Sequence, residues 1–168
     1  MNTAQAIRAL VKKVPNPTKG LPDDVFYYIS RTTPLINVDL LIKDEEGRTL
    51  LSWRNDQYAG KGWHVPGGIV RFKETLETRI KKVAEIEIGT KVSFNPTPMA
   101  IHQLIHPGRS IRSHFLSILY KCFLPGTFIP SNKGLTAEDR GFLQWHDHCP
   151  KNLIKVHEFY RKYIDGIQ

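Results

Sequence analysis

The sequence predicts an α/β/α sandwich. Three observations carry that prediction: runs with strand character at residues 34–43, 48–54, 100–105, 115–123 and 142–146; a charged segment at 74–88 closed by Gly89; and a second pattern of helical spacing at 153–164. Strands that frame one helix and precede another bury both faces of a sheet when the two helices pack on opposite sides. With 168 residues, the chain is long enough for one domain with a substantial core.

Residues 4–14 set Ile7, Leu10 and Val11 on one side and Arg8, Lys12 and Lys13 on the other, which is helical spacing. This helix is read as a docking element in preference to a targeting one. Pro15, Pro17, Gly20 and Pro22 break it, and a second helix is expected over 23–30. Residues 1–30 form a helical extension and 31–168 the main domain. The run 34–43 is rich in leucine and β-branched residues, and Asp44-Glu45-Glu46-Gly47 supplies turn chemistry before its partner at 48–54, so the two make a hairpin. A polar loop follows at 55–62, a short strand at 63–65, and a helix from 74 to 88 that ends on Gly89 in the position of a C-cap. The remaining strands and the helical pattern at 153–164 complete the layers.

A formal net charge of +8 favours anionic partners, either nucleotide phosphates or nucleic acid, unless the basic residues only solvate the surface. Cys122 and Cys149 are the two cysteines; they build no disulfide framework and suit a reducing compartment. No apolar run reaches transmembrane length and no signal-peptide core follows Met1, so the reading is cytoplasmic, without membrane association. His146, His148 and Cys149 lie close together but lack a further ligand pair at workable spacing, and they are not read as a zinc site.

The stretch that speaks to chemistry is Gly-Trp-His-Val-Pro-Gly-Gly at 62–68, followed by the charged segment. A glycine pair lets the backbone turn tightly and brings a bare carbonyl close to a ligand. Magnesium prefers oxygen ligands and commonly bridges protein carboxylates to substrate phosphates. Helix positions three and four apart share a face, which groups 83, 86 and 87; only Glu87 among them is acidic, beside Val83 and Ile86. Gly67 and Glu87 are thus candidate ligands for a single Mg²⁺. The alternative is a helix that has lost its metal and simply packs on the sheet. Glu74 is either a structural or metal-assisting carboxylate or a first-turn residue favoured by the helix dipole.

Gly68, Glu74, Glu87 and Gly89 fall on the box of the Nudix hydrolases, which this chain resembles, with Lys82, Val83, Ile86 and Thr90 at positions where the box has arginine, two glutamates and a hydrophobe. The resemblance implies the Nudix α/β/α sandwich with a mixed sheet. Within that superfamily the chain looks like the GDP-mannose mannosyl hydrolase branch, which lacks the same two glutamates. The likeness runs from about Tyr28 to Gly89 through Thr-Pro-Leu at 33–35, Asp39 on its strand and Trp53-Arg54, with a fainter match over 138–145.

That branch cleaves a nucleotide sugar by attack of water on the anomeric carbon, using Mg²⁺ and arginines to neutralise the departing diphosphate. The resemblance assigns Arg54 to the diphosphate, and a planar guanidinium suits phosphate bidentately. Asp39 becomes a residue of the substrate pocket. Where the branch has an arginine after the glycine pair this chain has Ile69, with Arg71 or Lys73 as substitutes. Where the branch has a glutamine ligand and a histidine base, this chain offers Asp139 as a hard-oxygen ligand and Arg140, which cannot act as a base. Glu138, Asp139, His102, His106 and His114 are the candidates for activating water. Arg109, Ser110 and Arg112 form a basic loop that either contacts a diphosphate or is a solvated hairpin tip.

The resemblance therefore implies a Mg²⁺-dependent nucleotide-sugar hydrolase working as a homodimer. Two alternatives stand beside it. One is a pyrophosphohydrolase attacking phosphorus in another nucleoside diphosphate derivative. The other is a catalytically impaired scaffold that holds a nucleotide or, less favoured, RNA.

Overall fold

A computed structural model describes residues 2–167. The extension holds α1 (Thr3–Lys13), a 3₁₀ turn (Pro17–Lys19) and α2 (Asp23–Ser30). Asn2 and Gln5 cap the start of α1 reciprocally, and Lys13 pairs with Asp24 to fold α1 back on α2. No residue of α1 is buried, and Ile7, Leu10 and Val11 lie exposed along it.

The rest of the chain is built on one eight-stranded mixed sheet. Its strands are β1 (Leu35–Lys43), β2 (Thr49–Asp56), β3 (Gly60–His64), β4 (Gly67–Ile69), β5 (Ser93–Phe94), β6 (Ala100–Ile105), β7 (His114–Phe123) and β8 (Leu143–His146). The order β3-β2-β1-β7-β5 forms its spine, with β4 on β1, β6 on β7 and β8 on β2. The pairing of β1 with β7 is parallel over the whole length of β1, and the other pairings are antiparallel. β1 is central, which is why its sequence is a nearly continuous apolar run.

Alternation along β1 separates two cores. Val38, Leu40 and Ile42 join Leu50, Ile80, Val83, Ala84 and Ile88 on the face covered by α3 (Leu76–Val83). Leu41 points the other way and packs with Leu51, Trp53, Trp63, Leu119, Tyr160 and Ile164, under the C-terminal 3₁₀ segment (Lys155–Tyr160) and α4 (Arg161–Ile164). Helix, sheet and helix therefore stack as the sequence predicts. Among the described residues no helix is long and apolar enough to cross a membrane.

Four local departures bear on the site. The loop expected at 55–62 is mostly strand: β2 runs on to Asp56, whose carboxylate accepts the backbone N–H groups of Tyr58 (2.8 Å) and Ala59 (2.9 Å) and turns the chain straight into β3. The helix expected over 74–88 begins only after Thr75, whose hydroxyl caps Thr78, and its last turn, Ala84–Ile88, is a π-helix. Gly89 closes it in the left-handed conformation (φ 79°), with its N–H on the Ala84 carbonyl. The C-terminal pattern at 153–164 folds as 3₁₀ before it becomes α. Finally, β4 and β5 are strands that the sequence did not announce.

Candidate active site

A cleft of about 1580 Å³ opens between the extension, the glycine turn and the end of the charged helix. Gly67 and Glu87 line it together with Asp39, Arg54 and Arg71. The structure thus gathers five of the six residues singled out from sequence.

Gly67 sits in β4 directly across from Asp39. A Cβ at this position would collide with the Asp39 carboxylate and stand 2.8 Å from the Val38 carbonyl, so the close strand approach requires glycine. Hydrogen bonds from Leu40 N–H to Pro66 and from Val70 N–H to Ile36 fix the phase of this antiparallel pair. Hydrogen-bonded and non-hydrogen-bonded pairs alternate, so Asp39 and Gly67 form a non-hydrogen-bonded pair and the Gly67 carbonyl turns away from the β1 ladder. A carbonyl released in this way can serve a cation.

Glu74 and Glu87 occupy opposite ends of the charged segment. The Glu74 side chain, 5% exposed, accepts from the Arg71 N–H (3.0 Å), the Arg79 guanidinium (2.7 Å) and Lys82 (3.0 Å). Burial alone would raise its pKa, but the Arg71 N–H, Lys82 and Arg79 outweigh it and bring it down to about 2. These contacts tie the glycine turn to α3. Glu87 lies in the π-helical turn, and its Oε2 faces the His64 Nε2 at 3.7 Å. Val83 is in the core and Ile86 is 73% exposed, so Glu87 is the carboxylate that this end of the helix presents to the cleft.

Asp39 is buried on the opposite side of the glycine turn. Asn37 (2.8 Å), Tyr160 (2.6 Å) and Ser117 all donate to it. Burial pushes its pKa up, against the pull of these donors and the nearby His64. His157 adjoins this network, with its ring edge-on to Tyr160 at 5.2 Å and 6.0 Å from His64. Its Nδ1 accepts the Val65 N–H (3.2 Å), so the neutral ring carries its proton on Nε2. Burial, reinforced by His64 and Arg54, holds its pKa well below the ordinary imidazole value.

Arginines complete the rim. Arg54 pairs with Asp56, and the Arg71 guanidinium donates to the Lys19 carbonyl (2.9 Å), linking the extension to the glycine turn. Arg112 lies between the rings of Phe26 (5.5 Å) and Tyr58 (4.9 Å) and receives no carboxylate among the described residues. Burial and the neighbouring Arg54 lower its pKa. Arg109 and Arg140 also line the cleft. The basic loop is therefore part of the site and is not a hairpin tip turned to solvent.

Asp139 is the sequence-derived residue that the cleft does not gather. Its carboxylate accepts from the Thr136 N–H (2.7 Å) and hydroxyl (2.8 Å), closing a turn of its own loop, while Arg140 and Gly141 line the cleft in its place. Of the three histidines weighed for activating water, His106 lines the cleft, whereas His102 packs against Phe159 and His114 bonds to Gln103. His64 and His157 were missed. The signal for His64 was a histidine between Trp63 and Val65, in a motif whose weight fell on its glycines.

The Gly67 carbonyl and the Glu87 carboxylate are hard oxygen donors, and with substrate phosphates they fit a divalent cation of the Mg²⁺ kind. Among the described residues no group of three or more His, Cys, Asp or Glu side chains forms a protein-only cage.

No protein-family model matches the chain. A 78-residue stretch, 46% of the chain, is 42% identical to the low-salt glycan biosynthesis protein Agl8 of Haloferax volcanii, spanning 49% of that protein, about half its length. Among solved structures, the MutT Nudix hydrolase of Burkholderia pseudomallei superposes with a TM-score of 0.60 at 19% identity, covering 77% of this chain and 97% of that one. The MutT protein of Methanosarcina mazei gives 0.57 at 20% identity, over 80% and 95%. A UDP-X diphosphatase gives 0.54 at 21% identity, over 92% and 73%. Layer order, sheet topology and these superpositions agree: the chain has the Nudix hydrolase fold.

Proposed function

We propose that the protein is a Mg²⁺-dependent hydrolase of a nucleoside diphosphate sugar, in which water attacks the anomeric carbon and releases nucleoside diphosphate and free sugar. The observation that carries this reading is the single cleft in which Gly67 and Glu87 stand with Arg54, Arg71, Arg109 and Arg112. Such a site suits a ligand with a pyrophosphate. Glu87 and the Gly67 carbonyl would hold the cation, which when bound neutralises charge on the departing diphosphate. Arg54 and Arg112 orient the same group through planar guanidinium forks. Asp39, held by Asn37, Ser117 and Tyr160, gives the pocket a fixed polar wall for sugar hydroxyls. His157 adds a neutral N–H donor.

A Nudix scaffold with one helix carboxylate in the cleft favours loss of a diphosphate leaving group over attack at phosphorus, which draws on more metal ligands. The likeness to a glycan biosynthesis protein supports a sugar-bearing substrate. Hydrolysis of a panel of nucleotide sugars with Mg²⁺, with every product resolved, tests the reading. Nucleoside diphosphate plus free sugar supports it. Nucleoside monophosphate plus sugar phosphate moves the reaction to phosphorus, a reading favoured by the likeness to a UDP-X diphosphatase. Binding without turnover leaves a nucleotide-binding scaffold. A cytoplasmic homodimer belongs to the same proposal, supported by the exposed apolar side of α1, and light scattering tests the dimer.

A further inference from the structure

We propose that His64 is a metal ligand, so that the cation site is a mixed oxygen–nitrogen site preferring Zn²⁺ or Co²⁺ to Mg²⁺ when no substrate is bound. This deepens the proposed function and rests on its placement of a cation at Glu87.

The argument begins with the tautomer. His64 is buried at the end of β3, and its Nδ1 lies 2.7 Å from the Ser52 carbonyl oxygen. A carbonyl only accepts, so Nδ1 carries the hydrogen and the neutral ring leaves Nε2 with a lone pair. That lone pair faces a Glu87 carboxylate oxygen, also a pure acceptor, at 3.7 Å. The gap is too long for a charge-assisted hydrogen bond, which closes to about 2.7–2.9 Å. Two lone pairs held face to face across it are reconciled by a positive centre between them.

The spacing fits such a centre. Two ligands each about 2.1 Å from one ion lie roughly 3.4 Å apart in a tetrahedral arrangement, closer to the observed gap than the roughly 3.0 Å of adjacent octahedral positions. Mg²⁺ demands near-octahedral oxygen coordination, whereas imidazole nitrogen suits softer transition ions. The Ser52 carbonyl acts as the outer partner that orients a metal-bound imidazole. His64, Glu87 and Gly67 come from β3, the π-helical turn and β4, and all three line the cleft.

The test is metal binding to the full chain without nucleotide, followed by calorimetry and by nitrogen-15 NMR of labelled histidine. Addition of Zn²⁺ is expected to move the His64 Nε2 resonance by tens of ppm and leave Nδ1 protonated. His64→Phe is expected to weaken Zn²⁺ and Co²⁺ by about a hundredfold while Mg²⁺ affinity stays within about twofold; His64→Asn, which keeps a donor for the Ser52 carbonyl, is expected to do the same. An unmoved Nε2 resonance under saturating Zn²⁺ overturns the proposal, and being read on the native chain it does so even where a variant fails to fold. Zn²⁺ binding that survives both His64 substitutions but is lost in Glu87→Gln also overturns it, leaving an all-oxygen site and the proposed function intact. If Glu87→Gln leaves Zn²⁺ and Mg²⁺ binding unchanged, the cation placement itself fails, and this inference fails with it.

Discussion

Glu74 and Glu87 begin and end the same charged segment, yet they live in opposite circumstances. The Glu74 side chain is covered by the Arg71 N–H, Arg79 and Lys82, and both its oxygens accept hydrogen bonds. Glu87 stands in a π-helical turn and, among the described residues, faces the His64 ring at 3.7 Å. A carboxylate whose partners are all supplied by the fold serves the fold. One left facing another acceptor is the carboxylate proposed above to hold a cation. The π-turn makes the second case possible, because the extra residue in the turn re-aims side chains.

The largest effect should come from the open carboxylate. Glu87→Gln is expected to lower cation-dependent turnover by about a hundredfold or more, while its unfolding free energy in urea stays within about 0.5 kcal/mol of the parent. A large loss of stability would erase the distinction between the two glutamates. Glu74→Gln should do the reverse: it strands the Arg79 guanidinium in a buried setting and costs about 3 kcal/mol in urea unfolding, with activity per folded molecule largely kept.

The pH dependence separates the regions further. Glu74 has a depressed folded pKa, so its stabilisation is complete above the unfolded value of 4.5 and is lost as pH falls toward about 2. His157 acts in a higher window. Below 6.5 the unfolded chain takes up a proton that the folded protein refuses, so stability falls as pH drops from there. Metal-free urea midpoints between pH 8 and 5 should decline, and His157→Gln should flatten that decline. A smaller effect is expected at the rim. Arg112→Lys loses the stacked guanidinium between Phe26 and Tyr58, costing about 1 kcal/mol of stability and weakening nucleotide diphosphate binding by calorimetry. Smallest of all is Asp139→Asn, which should leave turnover within about twofold because that carboxylate serves its own turn.

Much of the fold was legible because it is written locally. β1 is a β-branched and leucine-rich run bounded by turn residues, β6 and β7 read as largely apolar runs, and α2 follows a proline with two aspartates in its first turn. β4 was not legible: its glycine pair has low strand propensity, and it is a strand because β1 pairs with it. The π-turn was equally hidden, since nothing in Ala84–Ile88 departs from an α-helical pattern. Of the site, Gly67, Glu87, Asp39, Arg54 and Arg71 could be named from motif and resemblance. His64 and His157 could not, because their roles depend on the distant carbonyl of Ser52 and on the backbone N–H of Val65.

The parallel pairing of β1 with β7 has a kinetic side. Leu35 meets Phe115 and Lys43 meets Phe123, so the central strand finds its long neighbour only after most of the chain is available. Closing so large a loop places the pairing late in folding and makes refolding slow relative to helical proteins of similar size. Until then β1 is an apolar strand with an open edge, and a chain released before β7 would expose it to self-association.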